Sequence, residues 1–248
     1  MRLVLLLLTL LLCIDMIIGL PGASVVGTRV AGGATIPATD LILYLDASNP
    51  DSYPGTGTTW TDLSSAGNDA TLNSIDYSTD NGGVMVLNAT SDYAPVTLNT
   101  ALSSTAYSKC AWVKFDSTAN FNNILSGGNN AQHAFWTINT NRFNAGHNGN
   151  YTAIISNAVI SVDTWYFVAL TFSTAAGITL YVDGTLDKDT PGYTVAFNTS
   201  SPEVLNVARF GTTANGMLGR IGLVLAYNRK ITADEVSDIY DATKARFL

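Results

Sequence analysis

The sequence predicts an all-β fold, an antiparallel β-sandwich of two sheets with one short helix near the C-terminus. Short runs of Val, Ile, Leu, Tyr and Phe alternate with polar residues, and turn clusters such as Asn148-Gly149-Asn150 separate them. Only 12% of the 248 residues are charged, and no alternation of strands with helices precedes the C-terminus. Many short alternating runs between turn residues are typical of antiparallel two-sheet folds.

The clearest strands are predicted in the last third of the chain. Residues 165–172 and 178–182 are apolar runs joined by a short Gly-containing loop. Asp183 and Gly184 then form a two-residue hairpin turn, because both residue types tolerate positive φ. A third apolar run spans residues 219–229.

One helix is predicted at the C-terminus. Thr232 and Glu235 have the spacing of a capping box, with Thr232 as the N-cap. The residues of one face follow at helical spacing, at Val236, Ile239, Tyr240 and Thr243. This face can pack against the sandwich, so the helix is interpreted as a terminal clasp without a chemical role.

Several motifs follow one another in a fixed order from about residue 41 to the C-terminus. Residues 60–64 have the sequence Trp-Thr-Asp-Leu-Ser and precede a Gly-Asn turn, and residues 110–114 have the sequence Cys-Ala-Trp-Val-Lys. In this order the motifs resemble the laminin-G-like, concanavalin A-like jelly-roll family. One motif departs from the family pattern Asp-Gly-x-x-Asp-Tyr, because Asn88 and Ala89 stand at its first two positions.

The resemblance implies an antiparallel two-sheet jelly-roll β-sandwich over residues 40–248. It also places three tryptophans in the scaffold, namely Trp60, Trp112 and Trp165. Members of the family mostly bind sugars or surfaces, and a minority are glycosidases. The chain is similar in particular to domains of phage and virus structural proteins, so a virion is one expected setting.

The N-terminal segment, residues 1–24, has two interpretations. Arg2 is followed by an apolar run that only Asp15 interrupts, and small residues follow at 22–24. This layout is typical of a secretory signal peptide, and its length also suits an uncleaved membrane anchor. Residues 25–39 are predicted to be a linker. Both interpretations export the C-terminal domain, so we expect an extracellular protein, secreted or displayed on a virion or cell envelope, with membrane contact only through this segment.

Charge and cysteine content exclude several function classes. The formal net charge is −7, only 12 residues are Lys or Arg, and no basic cluster is interleaved with aromatic residues. Nucleic-acid binding is therefore not expected. Cys110 is the one cysteine outside the N-terminal segment, and we expect it to be a buried, inert thiol.

Glycosidase chemistry is not expected, because it needs two carboxyl groups that flank the scissile bond. The resemblance implies a strand with the pattern Glu-x-Asp-x-x-Glu for such enzymes. This chain has two Glu residues, Glu203 in a predicted loop and Glu235 in the helix cap. Asp187 and Asp189 come closest to a pair, and they are interpreted as the solvated end of a hairpin. The sequence therefore predicts a protein that is not an enzyme, with no catalytic residues.

Calcium is the one cofactor that the resemblance suggests, since many laminin-G-like domains bind it with Asp and backbone oxygens at the sandwich rim. Asn88 and Asp92 are the candidate metal ligands. The favoured alternative is a turn in which these side chains bond to nearby backbone, so that no cofactor is present.

A sugar site is predicted between residues 132 and 151, where aromatic and amide side chains surround a Gly-containing turn. Sugar rings stack on Trp or Tyr while polar side chains bond the hydroxyl groups. The candidate ligand-binding residues are His133, Trp136, Arg142, His147, Asn150 and Tyr151. We expect His147 and Asn150 to be exposed; Trp136 is equally well interpreted as a core residue.

Two functions remain open from the sequence. The first is a non-catalytic, lectin-like module that attaches a virion or cell to glycans or surface polysaccharide. The second is a structural subunit, such as a capsid decoration, spike or surface-layer protein, that associates with itself or with other surface proteins and binds no sugar. The fold accommodates both, so the fold alone does not choose between them.

Overall fold

A computed structural model describes residues 34–119, 121–128, 132–138, 140–199, 202–213 and 215–248. The predicted signal peptide or anchor at residues 1–24 lies outside the described residues, and so does most of the predicted linker at 25–39. Within the part of the chain that the structure describes, no helix is both long and apolar enough to cross a membrane.

The described residues form sixteen strands and one α-helix. In chain order the strands are β1 Leu41–Asp46, β2 Thr59–Trp60, β3 Ala70–Thr71, β4 Asp76–Ser78, β5 Val84–Leu87, β6 Ala94–Thr97, β7 Ala106–Phe115, β8 Leu125–Gly127, β9 His133–Ile138, β10 Arg142–His147, β11 Asn150–Ile155, β12 Trp165–Ser173, β13 Gly177–Val182, β14 Thr185–Thr190, β15 Val204–Val207 and β16 Gly219–Tyr227. The helix α1 spans Ala233–Thr243, and short 3-10 turns lie at Asp80–Gly82 and Lys244–Arg246.

The first layer of the fold is an eight-stranded antiparallel sheet. Its order is β14-β13-β12-β7-β16-β5-β4, and β1 also pairs with β16. The turn between β13 and β14 is the predicted hairpin turn, since Asp183 and Gly184 have φ angles of 50° and 76°. This sheet contains all three apolar runs that the sequence identifies in the last third of the chain.

The second layer combines a five-stranded sheet of order β2-β3-β6-β15-β8 with a three-stranded sheet of order β11-β10-β9. The backbone just before β8 joins the two. The amide of Ile124 donates to the carbonyl of Phe135 at 2.8 Å, and the amide of Thr137 donates to that of Asn122 at 2.8 Å. Every strand pair is antiparallel, and the predicted all-β sandwich with one short C-terminal helix is confirmed.

The main core lies between the layers, and a second core lies under the helix. Strand β7 serves both, because its side chains alternate. Val113 and Phe115 belong to the cluster between the layers, whereas Cys110 and Trp112 belong to the cluster under the helix. Cys110 is fully buried, as expected, and burial raises the pKa of its thiol.

The helix packs on the outer face of the first sheet, as its apolar stripe predicts. The capping box is formed by Thr232 and Glu235. The indole Nε1 of Trp112 donates to Thr243 Oγ1 at 2.7 Å, and its ring stacks on Phe247 with centroids 4.4 Å apart. The terminal clasp is therefore held by a buried hydrogen bond as well as by apolar contact.

The Trp-x-Asp-x-Ser motif is structural. The carboxylate of Asp62 accepts hydrogen bonds from the amides of Tyr44 at 2.7 Å, Ser64 at 2.9 Å and Asn68 at 2.8 Å. These bonds fix the loop after β2 against β1, since a buried carboxylate needs such donors. Trp60 is fully buried beside it. Of the other two scaffold tryptophans, Trp112 is fully buried and Trp165 is 9% exposed.

Candidate ligand-binding site

A pocket of about 200 Å³ opens on the outer face of the second layer. Its position follows from the alternation of side chains along β9. Phe135 points into the core between the layers, so Ala134 and Trp136 point outward. The lining residues are Phe121, Asn123, Ala134, Trp136, Tyr151, Phe210 and Asn215.

Trp136 forms the floor of the site by lying across β10. Strand β10 separates β9 from β11, yet the indole Nε1 of Trp136 donates to the carbonyl of Tyr151 on β11 at 2.9 Å. Gly146 on β10 allows the close approach of β11, because a Cβ at this position would lie 1.9 Å from the carbonyl oxygen of Asn150. The ring of Trp136 is therefore fixed in place before any ligand arrives.

Two aromatic pairs flank the pocket. Phe121 lies against Trp136 with ring centroids 5.5 Å apart, and Phe210 meets Tyr151 edge-on with centroids 4.9 Å apart. Phe121 is 46% exposed, so nearly half of this apolar residue faces solvent at the rim. Exposed aromatic rings around a concave apolar surface are typical of binding sites.

Asn123 holds the two loops of the pocket together. Its Nδ2 donates to the carbonyl of Asn215 at 2.6 Å, and its Oδ1 accepts a hydrogen bond from Ser126 Oγ at 3.0 Å. The side chain of Asn123 is only 3% exposed, whereas Asn215 is exposed at the rim. No described residue of the lining has a charged side chain.

Of the six candidate residues from the sequence, Trp136 and Tyr151 line this pocket. Asn150 is exposed, as expected, at the start of β11 but is not part of the lining. Arg142 Nη1 donates to the carbonyls of Ser156 at 2.7 Å and Asn157 at 2.5 Å. Arg142 therefore ties down the loop after β11.

The structure places His133 and His147 in the core, and the expectation that His147 is exposed is wrong. Both are fully buried. The reason is the strand period of two residues, which puts His133 on the same side of β9 as Phe135, and His147 on the same side of β10 as Ala145. Neither ring can contact a ligand in the pocket.

His133 is the middle member of a buried hydrogen-bond chain. Lys109 Nζ donates to His133 Nδ1 and, at 2.9 Å, to the carbonyl of Leu125; His133 Nε2 donates to Glu203 Oε1 at 3.3 Å. Burial, reinforced by the charge of Lys109, lowers the pKa of His133 to about 3. Burial also lowers the pKa of Lys109, although the nearby Glu203 opposes this shift.

His147 forms a second buried polar group. Its Nδ1 accepts a hydrogen bond from the hydroxyl of Tyr107 at 3.0 Å, and its Nε2 donates to the carbonyl of Val195 at 2.8 Å. Burial lowers the pKa of His147, against the opposing effect of the hydrogen bond to Val195. These contacts give His147 a structural role between β7 and the segment that precedes β15.

The candidate calcium ligands form a turn. Asp92 Oδ2 accepts hydrogen bonds from the amides of Asn88 and Ala89, both at 2.8 Å, and Asn88 Nδ2 donates to Asp76 Oδ2 at 2.8 Å. The backbone-bonded turn favoured by the sequence is confirmed for Asp92. The described residues contain no group of three or more His, Cys, Asp or Glu side chains placed to hold a metal ion.

The acidic residues near the β13–β14 hairpin also accept hydrogen bonds from other parts of the protein. Asp187 accepts hydrogen bonds from the amides of Asn157 at 2.7 Å and Ala158 at 2.8 Å. The sequence predicts a solvated carboxylate here, whereas the structure shows one bonded to the backbone of another loop. Asp189 accepts a hydrogen bond from Thr179 Oγ1 at 3.3 Å. The two carboxylates lie outside the pocket lining.

Sequence reasoning missed the part of the pocket that comes from distant segments. Phe121 and Asn123 precede β8, while Phe210 and Asn215 follow β15. These segments come together because β8 pairs with β15. An exposed Phe in an Asn-rich loop is a local signal for Phe121, but no local pattern brings Phe210 to Tyr151.

Comparison with known proteins identifies the class of the fold. A sequence model of the concanavalin A-like lectin/glucanases superfamily matches residues 88–237, which is more than half of the chain. The chain therefore belongs to this superfamily. A search of curated protein sequences finds no match to the chain.

Solved structures with the same fold include parts of two larger proteins. Trypanosoma rangeli sialidase in complex with sialic acid matches with a TM-score of 0.66 and 16% identity, over 88% of this chain and 36% of the sialidase. The receptor binding domain of botulinum neurotoxin C/D mosaic serotype matches with a TM-score of 0.64 and 17% identity, over 82% of this chain and 51% of that chain. The chain thus spans about a third to a half of the length of these structures, and the similarity defines its fold.

Proposed function

We propose that this protein is a non-catalytic, lectin-like module that binds glycans through the aromatic pocket. The observation that carries the proposal is the concave cluster of Phe121, Trp136, Tyr151 and Phe210, with the exposed Asn215 at its edge. A sugar ring presents an apolar face that stacks on aromatic rings, while its hydroxyl groups need amide or solvent partners. The pocket offers both kinds of contact, from Trp136 and Tyr151 on strands and from Phe121, Phe210 and Asn215 on the adjoining loops.

The structural neighbours support glycans as the ligand class. One of them is a sialidase solved with sialic acid, and another is a neurotoxin receptor binding domain. Because identity is 16% and 17%, no residue role is transferred from either protein. Their support is that domains of this fold occur in proteins that engage sialic acid or a receptor.

The absence of catalysis is part of the proposal. The pocket lining contains no Asp, Glu or His, so it holds neither the acid nor the nucleophile that glycoside hydrolysis requires. Glu203 is buried against His133, and Glu235 pairs with Arg229 at 2.7 Å in the helix cap. Neither glutamate is placed beside the aromatic rings.

Export and multivalent display complete the proposal. The predicted signal peptide or anchor at residues 1–24 supports a location outside the cell or on a virion. A single shallow site of this size is expected to bind weakly, with a Kd of roughly 0.1–1 mM. Adhesion would then depend on many copies, through self-association or display by other surface proteins, that raise the effective concentration.

The proposal is tested by multivalent display of the protein on a broad glycan array, comparing the parent with Phe121→Ala and Phe210→Ala. Each variant removes one aromatic wall and should lower binding about tenfold, as expected for the loss of one stacking contact. Leu186→Ala is the matched control, because Leu186 is a 62% exposed apolar residue on β14, outside the pocket lining. Its binding should equal that of the parent.

No signal for the parent on any glycan would contradict the proposal and favour the structural subunit. Equal binding by the parent and both phenylalanine variants would place the glycan site elsewhere. Trp136→Ala is a less informative variant, because the indole also supports β11 through Tyr151.

A further inference from the structure

We infer that the pocket selects a single uncharged sugar ring at the end of a glycan, and that a terminal sialic acid is excluded. This inference rests on the proposed glycan binding and specifies the ligand class of the same site. The charge, the hydrogen-bonding capacity and the size of the pocket support it.

Among the residues that the structure describes, the pocket lining holds no cation to pair with a carboxylate. None of its lining residues is charged. Arg209 adjoins Phe210 in sequence, but it is not part of the lining, and its guanidinium lies over Tyr93, with Cζ 3.1 Å from the ring centroid. Arg142 is engaged by the carbonyls of the loop after β11. An unpaired carboxylate against aromatic rings carries a large desolvation cost, so an acidic sugar is disfavoured.

The charge of the whole protein acts in the same direction. The formal net charge is −7. A negative protein surface lowers the local concentration of anionic ligands and leaves that of neutral ligands unchanged. This long-range effect is independent of the pocket lining and adds to it.

The polar atoms of the pocket floor are already occupied. Trp136 Nε1 is bonded to the Tyr151 carbonyl, and both ends of the Asn123 amide have protein partners. Asn215, exposed at the rim, is the amide that a ligand hydroxyl can reach from solvent. The floor therefore suits the apolar face of a ring, with the hydroxyl groups directed to the rim and to water.

The volume of the pocket sets the length of the ligand. At about 200 Å³ it is smaller than the roughly 300–1,000 Å³ of sites that enclose drug-sized molecules. One pyranose ring fills such a space, and an extended oligosaccharide does not. A terminal residue reaches the floor without bending the chain behind it.

The test compares two forms of one sialylated glycoprotein, immobilised before and after enzymatic removal of its terminal sialic acid. The full protein, displayed multivalently, should bind the desialylated form at least tenfold more strongly. Phe210→Ala should lower binding of the desialylated form about tenfold, because it removes an aromatic wall. Binding of the desialylated form should change less than twofold between low and high salt, since no ion pair is involved.

A gain-of-function variant tests the cause of the selectivity. Asn215→Lys places a cation at the exposed rim and should raise binding to the sialylated form several-fold. Stronger parent binding to the sialylated form than to its desialylated counterpart would overturn the inference while leaving the glycan-binding proposal intact. Binding to neither form, nor to any neutral terminal sugar on the array, would overturn both.

Discussion

Mild acid should destabilise this protein through His133, which lies between the two layers with both ring nitrogens engaged. Nδ1 accepts a hydrogen bond from Lys109, and Nε2 donates to Glu203. Protonation would put a second proton on Nδ1, directly facing Lys109, inside a fully buried site. The folded protein therefore keeps His133 neutral, which is why its pKa falls to about 3.

The size of the effect follows from proton linkage. Between pH 6.5 and about 3, the unfolded chain binds a proton at His133 that the folded chain does not bind. The stability that depends on neutral His133 is fully present above pH 6.5 and is lost as the pH falls towards 3. At pH 5.0, 1.5 units below the ordinary histidine value, His133 alone should lower the free energy of unfolding by about 2 kcal/mol.

The assay is urea unfolding, monitored by tryptophan fluorescence and circular dichroism, at several values between pH 7.5 and 5.0. The range stops at pH 5.0 so that carboxylates of ordinary pKa stay ionised. A loss of about 2 kcal/mol should move the midpoint by roughly 1 M urea. His147 contributes in the same direction, because burial also lowers its pKa.

The variant His133→Gln isolates the contribution of His133. Gln can still accept from Lys109 and donate to Glu203, but it does not titrate. Its absolute stability can be lower than that of the parent, so the compared quantity is the loss between pH 7.5 and 5.0. This loss should be about 2 kcal/mol smaller in His133→Gln than in the parent. Identical losses in the two proteins would refute the assignment.

Three further outcomes are expected. Thr243→Val should lower the free energy of unfolding by about 1–3 kcal/mol, because the buried Trp112 indole loses its acceptor; chemical denaturation measures this, and an unchanged midpoint would contradict the clasp. Asp92→Asn should destabilise the protein by about 1–3 kcal/mol in the same assay, since the carboxylate accepts two backbone amides, while a calcium chelator should leave the parent's Tm unchanged; a chelator-induced drop would instead support calcium at Asn88 and Asp92. Phe121→Ala should change the Tm by no more than a few degrees, because its ring is 46% exposed, and unfolding of this variant would show that Phe121 is part of the core.

The sequence predicts those features that depend on local pattern. The capping box at Thr232 and Glu235 and the turn at Asp183 and Gly184 both form as expected. Apolar alternation also identifies the strands, because each side of a strand meets one environment. The same alternation also predicts that His133 is buried, since it stands two residues before the core residue Phe135.

The pocket was only half predictable, for a physical reason. Trp136 and Tyr151 lie within fifteen residues of each other and share one meander, so their proximity is a local property. Phe210 joins them only through the pairing of β15 with β8, which depends on the packing of the whole sandwich. Composition around residues 132–151 therefore pointed to the correct sheet, but it included two histidines from the opposite face.

An NMR titration of the isotope-labelled protein with the best neutral saccharide from the array would show whether the aromatic pocket on the second layer binds a neutral sugar. We predict chemical-shift changes that saturate in the range of roughly 0.1–1 mM and are confined to the Trp136 indole and the backbone around Phe121, Tyr151 and Phe210. Saturable shifts centred on another face, such as the turn at Asn88–Asp92, or no saturable shifts at all, would contradict it.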